Sequence, residues 1–240
     1  MLESVSPLAR DLIAVTAIGG TLALDRRAAF QLMVSQPLVV IPILGLFLGN
    51  LPTALWLGAL VQLLWMSSLL VGASVPPNET LSSLVIGGAA LLFGRHVGPI
   101  DLPVMALCIL LGAPVSLLGR LIDIQVDREN LALAHRADLA AAAGTPGVIS
   151  RLPLIGLFRT FVAEAGLVAA GTSIAFFVVR AVHPALTPTL IRALDVIALY
   201  LVPALGLAVA MTTVRRRRAL ALAGTAFVVV VSGLRYLEVQ

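Results

Sequence analysis

Residues 24–84 read LDRRAAFQLMVSQPLVVIPILGLFLGNLPTALWLGALVQLLWMSSLLVGASVPPNETLSSL. Two apolar runs lie here, and both are interrupted. Pro37 and Pro42 stand in the first, and each removes a backbone donor and crowds the preceding turn. Gln62, Ser67 and Ser68 stand in the second. Gly49-Asn50-Leu51-Pro52 separates the runs as a turn, and Gly72 and Pro76-Pro77-Asn78 break the chain after them. In hydrocarbon, irregular backbone survives only where protein or a water-filled cavity covers it. Short, broken apolar segments carrying polar side chains point to a transport site.

The surrounding composition makes the bilayer the relevant solvent. Of 240 residues, 60% are hydrophobic and 12% charged, and the mean hydropathy is +1.06. A soluble domain carries about 25% charged residues, so a soluble globular fold is excluded. At about 20 residues per crossing there is room for roughly six to eight membrane segments. All 16 cationic residues are arginine, and they lie between apolar runs, as loop residues that orient a membrane protein do. Neither an aromatic platform nor a basic recognition helix accompanies them, so nucleic acid is not an expected partner. The single Cys108 cannot close an internal disulfide. No cleavable signal is expected, because MLESVSPLARDL places two acids ahead of its apolar run.

The expected fold is all-α and polytopic, with re-entrant or broken helical hairpins in the N-terminal third. Residues 12–24 are too short to span upright and contain Gly19-Gly20, so they read as half of a re-entrant hairpin or as a tilted helix buried in protein. Segments follow at 28–49, 53–71, 81–93 and 101–119. Residues 120–143 carry Arg120, Asp123, Asp127, Arg128, Glu129, Arg136 and Asp138 without Gly or Pro. They read as a water-facing helix, stopped by Gly144-Thr145-Pro146-Gly147. Leu117, Leu121, Ile124 and Leu131 recur at helical spacing and would let it lie on a membrane or a partner. Longer spans follow at 152–179, 187–213 and 219–234. Three regions result: 1–100 with the broken helices, 101–147 with a membrane helix and the charged helix, and 148–240 with three C-terminal spans. Arg215 to Arg218 are placed in the cytoplasm by the positive-inside rule. Two crossings separate them from the 120–143 helix, which is then cytoplasmic too.

No enzyme constellation is present. His96, His135 and His183 lack metal-ligand spacing, and no nucleotide-binding glycine loop occurs. No metal or cofactor is expected. Glu164 and Asp195 are the acids within the C-terminal spans, each two to three turns from a segment end, where an interface role and a site role are both open. The polar groups available to a ligand are Asp25, Gln36, Asn50, Gln62, Ser67, Ser68, Asn78 and Glu79. Amides and carboxylates suit hydroxyls, each of which offers one donor and two acceptors. Capping of helix ends would explain any one of them equally well.

The series LDRRAAFQLMVSQPLV, LGLFLGN, LGALVQLLWM and VGASVPPNETLSSL resembles the IIC permease subunit of the bacterial phosphotransferase system, mannose/fructose/sorbose family. The matching positions are Leu24-Asp25, Pro37-Leu38, Gly45, Gly49, Gly58, Gly72-Ala73 and Pro77. The resemblance implies a multi-pass protein of the bacterial cytoplasmic (inner) membrane. It would move a sugar in a phosphoenolpyruvate-dependent system and have no catalytic residues of its own. Its implied partners are a IID membrane subunit, soluble IIA and IIB phosphocarriers and the lipid bilayer, in an oligomer of IIC–IID units. IIB would supply the phosphoryl group. The implied substrate-binding residues are Asp25, Gln36, Asn50, Gln62, Asn78 and Glu79.

This sequence departs from the family at several of those positions. Gln36 stands where Arg or His is usual, Asn50 for Asp, Gln62 for Glu, Leu70 for Asn or Asp, and Asn78 for an acid. Charge-assisted hydrogen bonds are roughly twice as strong as neutral ones, so a neutral site implies weaker or different sugar selectivity. Two other functions fit the sequence: a phosphorylation-independent secondary transporter coupled through Glu164 or Asp195, and a non-transporting membrane partner docking through 120–143.

Overall fold

The computed structural model describes residues 6–66, 75–213 and 224–225. Ser67, Ser68, Leu70, Gly72, Arg215 to Arg218 and nearly all of the 219–234 run lie outside the described residues. Among the described residues every regular element is helical. They are α1 (Pro7–Leu24), α2 (Pro37–Leu48), α3 (Leu51–Leu64), α4 (Glu79–His96), α5 (Leu102–Gly112), α6 (Val115–Ala142), α7 (Pro146–Ile149), α8 (Leu152–Val182), α9 (Pro188–Val196) and α10 (Val202–Thr213). A π-helical turn, Ile197–Leu201, joins the last two. Four stretches are long and apolar enough to cross a membrane: Pro7–Leu24, Leu102–Ala142, Pro146–Ala185 and Pro188–Val209.

α1 is one unbroken helix and not half of a hairpin. It starts five residues ahead of the apolar run because Ser6 caps it, accepting from the Ala9 N–H at 3.3 Å, and Pro7 occupies its first turn. Its 18 residues rise about 27 Å. Gly19 and Gly20 do not break it; they let α8 approach. A Cβ on Gly20 would lie 2.7 Å from the Ala165 Cβ and 3.0 Å from the Phe161 ring.

The broken hairpin lies one segment later. The 28–49 run is helical only from Pro37, and residues 25–36 form an irregular connection. α2 and α3 contain 12 and 14 residues, about 18 and 21 Å, too short for a hydrocarbon core of about 30 Å. Gly49 turns the chain at φ 80°, where a side chain would be strained, and Asn50 caps α3 through its own amide oxygen. Pro42 stays inside α2, packed against Gly58 of α3.

α4 is the axle. Every residue from Glu79 to Phe93 is buried, and α1, α2, α5, α6 and α8 all pack on it. A helix apolar or small all round belongs inside a bundle. Ser82 fits by donating to the Gly112 carbonyl at 2.9 Å. The charged helix is not separate: α6 continues from α5 after only Ala113 and Pro114, and its outward leucines Leu117, Leu121 and Leu131 are exposed.

Replacing Gly20 with valine should wedge α1 from α8 and cost about 1–3 kcal/mol, the usual range for overpacking. Gly166 on α8 faces open space, and Gly166→Ala should keep the wild-type midpoint. Thermal unfolding of both variants in one detergent checks the pair.

Candidate functional site

Polar groups collect where α1 ends. Asp25, 4% exposed, is the C-cap residue of α1, and its carboxylate turns back on its own chain. Its oxygens accept the Leu32 N–H at 2.7 Å and the Ser35 N–H at 3.1 Å. The loop so held contains Phe30, Gln31 and Met33 at φ 63°, 53° and 63°. Left-handed non-glycine residues cost roughly 1–3 kcal/mol each and persist only when their surroundings fix them.

Arg26 points the other way, into protein. Its side chain is 3% exposed. Its Nε and one terminal nitrogen donate to the two Glu79 oxygens at 3.3 and 3.2 Å. The nitrogen that bonds Glu79 at 3.2 Å also donates to the Pro77 carbonyl at 3.3 Å, and the other terminal nitrogen donates to Asp123 at 2.7 Å. Arg27 lies alongside, 2.7 Å from Asp127 and 3.9 Å from Asp123. Asn78 completes the knot: its Nδ2 donates to both Asp123 oxygens at 3.1 Å, and its Oδ1 accepts the Leu81 N–H at 3.0 Å to cap α4. Its own N–H donates to the Ser116 carbonyl at 2.9 Å. The ends of α1 and α4 and the first half of α6 are thereby tied together.

A second polar pair sits beside this knot. Gln62 Nε2 donates to Gln36 Oε1 at 3.2 Å, and Gln62 Oε1 accepts the Leu38 N–H at 3.2 Å. Both glutamines are half-buried. Ser35 links pair and knot, since it donates to Asp25 and its carbonyl accepts the Thr80 hydroxyl at 3.0 Å.

Of the six candidate residues, Asn78 and Glu79 thus meet in the Arg26–Asp123 knot, Asp25 stands beside it but holds its own loop, and Gln36 and Gln62 pair with each other. Asn50 is not with them. It lies at the far end of the hairpin, near Gly94. Arg26 and Asp123 were missed by sequence reasoning, which gave Arg26 to a loop and Asp123 to a solvated face. A signal for Asp123 existed: Asp123, Asp127 and Asn130 recur at i, i+4 and i+7 on one face. Glu164 is turned into the bundle: it is 4% exposed, with Oε2 buried and unpartnered. Among the described residues no cluster could hold a metal ion. The arrangement can orient hydroxyls and fix helices, and it contains no activated nucleophile.

Removing one partner of a buried ion pair strands the other, at about 3–5 kcal/mol. Arg26→Gln should therefore destabilise strongly. Adding Asp123→Asn should recover part of the loss, because the stranded carboxylate is then neutral. A double-mutant cycle of unfolding in detergent measures the coupling, and independent, additive losses would contradict the pairing.

Comparison with known proteins matches this architecture. The family described as "PTS system sorbose-specific iic component" matches residues 11–239. The "PTS system mannose-specific EIIC component" of Escherichia coli (strain K12) is 26% identical over 123 residues, 51% of this chain and 43% of that protein. The "PTS system sorbose-specific EIIC component" of Klebsiella pneumoniae is 28% identical over 106 residues, 44% of this chain and 37% of that protein. The aligned stretches thus span less than half the length of these relatives. Among solved structures, one described as "Structure of membrane protein" superposes with a TM-score of 0.69 at 18% identity, over 98% of this chain and 97% of that one. A chain of "CryoEM Structure of Mannose Transporter ManYZ and Microcin E492 (MceA) complex" superposes with a TM-score of 0.57 at 18% identity, over 95% and 93%. These two share the fold. With a family match running from the second turn of α1 to residue 239, this multi-pass membrane chain belongs to the sorbose-type IIC components of the phosphotransferase system.

Proposed function

We propose that the chain is the sugar-translocating IIC subunit of a phosphoenolpyruvate-dependent phosphotransferase system in a bacterial inner membrane. Support comes first from the family match over 11–239. The observation that carries the site is a half-buried amide pair, Gln36–Gln62, at the mouth of a hairpin too short to span the bilayer. Its amide groups are neutral donors and acceptors able to exchange their mutual bond for bonds to sugar hydroxyls. Asp25, Asn78 and Glu79 are already bonded to backbone and to Arg26, so their role is to hold the frame against which the hairpin moves. Asn50, at the other end, belongs to the approach from the opposite side.

In this mechanism the Arg26 end of the bundle faces the cytoplasm, as the arginine distribution favours. The α2–α3 hairpin exposes the amide pair to alternate sides. A IIB protein phosphorylates the arriving sugar, and the added charge prevents its return. The IID partner is supported by the likeness to the mannose transporter chain. IIA and IIB, and assembly into an oligomer of IIC–IID units, follow from the same system.

Glu164 keeps a second function in view. A buried carboxylate with an unpartnered oxygen is what an ion-coupled carrier would use. That carrier would work without soluble partners and would stop when Glu164 becomes glutamine.

The test is phosphoenolpyruvate-dependent uptake of mannose, fructose and sorbose by the full IIC–IID complex in vesicles supplied with IIA and IIB. Gln62→Leu should reduce uptake about tenfold, the effect of losing one to two hydrogen bonds, with folding intact. Unchanged uptake by Gln62→Leu would remove the amide pair from the site. Uptake that persists without phosphoenolpyruvate and follows an ion gradient would favour the Glu164 carrier.

A further inference from the structure

The opposite end of α1 and α4 holds a second ionic cluster, built with the charges reversed. Asp11 of α1, 5% exposed, is met by Arg95 Nε at 2.9 Å and His96 Nε2 at 2.9 Å, both from α4. Arg95 also donates to the Leu48 carbonyl at the end of α2. One carboxylate is therefore already satisfied from one side. Arg10 arrives from the other at 3.7 Å, its side chain 64% exposed. Two guanidinium groups share a single acid, and the excess positive charge stands at the level where an 18-residue helix begins.

A cleft of about 220 Å³ opens below these arginines, between α1 and α2. Its walls are Ala14 and Ile18 of α1 and Leu44 and Phe47 of α2. From Asp11 to Ile18 it runs about 10 Å along the helix. Phe47 is 65% exposed. α2 packs chiefly on α3 and α4, leaving its side toward α1 incompletely filled. The cleft therefore has one cationic mouth and an apolar interior two turns deep.

We propose that this cleft is a binding site for an anionic membrane phospholipid, its phosphate against Arg10 and Arg95 and one acyl chain between α1 and α2. Charge complementarity selects the headgroup: a zwitterionic lipid brings its own cation to a mouth that already has a spare one. The apolar walls select a lipid over a free anion, because inorganic phosphate would leave the cleft unfilled. A basic residue near a membrane surface draws anionic lipid by about fivefold. A chain lodged there would wedge the short hairpin against α1, so lipid composition would tune how firmly the hairpin is held. The site stands whether or not the chain carries sugar.

The full-length protein in a neutral detergent is titrated with phosphatidylglycerol, with phosphatidylcholine of the same chains, and with sodium phosphate, following the unfolding midpoint. Phosphatidylglycerol should raise the midpoint at about fivefold lower concentration than phosphatidylcholine, and phosphate should do nothing. Arg10→Gln should abolish the preference. Arg128→Gln, which removes the same charge from an exposed position on α6, should keep it. Ala14→Phe should fill the cleft and remove the lipid effect; should it fail to fold, the exposed Arg10→Gln decides alone. Equal response to both lipids, a response to phosphate alone, or an undiminished preference in Arg10→Gln would overturn the site.

Discussion

A guanidinium taken out of water must find its charge partners inside the protein, and Arg26 finds them on two other helices. Leaving an ion buried and unpaired costs several kcal/mol, so the end of α1 is tolerable only where Glu79 begins α4 and Asp123 comes round on α6. Asp123 is 97 positions away in sequence. The demand of one side chain therefore fixes where three helices meet. Asp25, next to Arg26, solves the same burial problem locally, by taking two backbone N–H groups of its own loop.

The α2–α3 hairpin is attached in another manner. At this end its lead-in is tied to the rest by the Ser35 N–H to the Asp25 carboxylate and by the Thr80 hydroxyl to the Ser35 carbonyl, while the neutral amide pair bonds within the hairpin itself. Its packing on α4 relies on Ile41 lying against Gly87. Charge-assisted bonds are about twice as strong as neutral ones, and the side-chain ion pairs at this end join the end of α1 to α4 and α6. The molecule divides into a frame locked by buried ions and a short hairpin held by packing and weaker bonds. In the proposed mechanism motion would fall on the hairpin, because breaking the frame would strand charges, whereas the amide pair can exchange neutral partners.

Much of this was legible in the chain. Gly49-Asn50-Leu51-Pro52 turns where its residues require it, and the break at Pro76-Pro77-Asn78 falls just where α4 begins. The misreadings share a cause: spacing records local preference, and burial is decided elsewhere. The 12–24 run looked too short because Ser6 and Pro7, not apolar residues, start its helix. Residues 28–36 looked helical by composition, but the Asp25 carboxylate pulls them into a turn with three left-handed residues. Counting from the segment end left the role of Glu164 open, and only the packing of α8 shows that it turns inward. The resemblance directed attention to acids and amides, and the arginine beside them passed as a loop charge. No spacing rule could pair Arg26 with Asp123.

The two ends of the α1–α4 pair show how register is chosen inside a membrane. Apolar surfaces cannot choose it, because lipid tails are as apolar as leucine. Here α1 runs antiparallel to α4, and each end carries an ion pair that also suits the helix dipoles. Glu79 opens α4 and Asp11 stands one turn into α1, toward the N-terminal ends that favour anions; Arg95 lies in the last turn of α4 and Arg26 follows α1, where the C-terminal ends favour cations. Asp11 and Asp25 are about 21 Å apart along α1, so the two helices are pinned to each other at both ends. A parallel arrangement would set Asp11 beside Glu79 and Arg26 beside Arg95. A one-turn slip would part both pairs at once. Orientation and register are therefore fixed by a handful of charges, which leaves the apolar and small residues between them free to be chosen for closeness of packing alone.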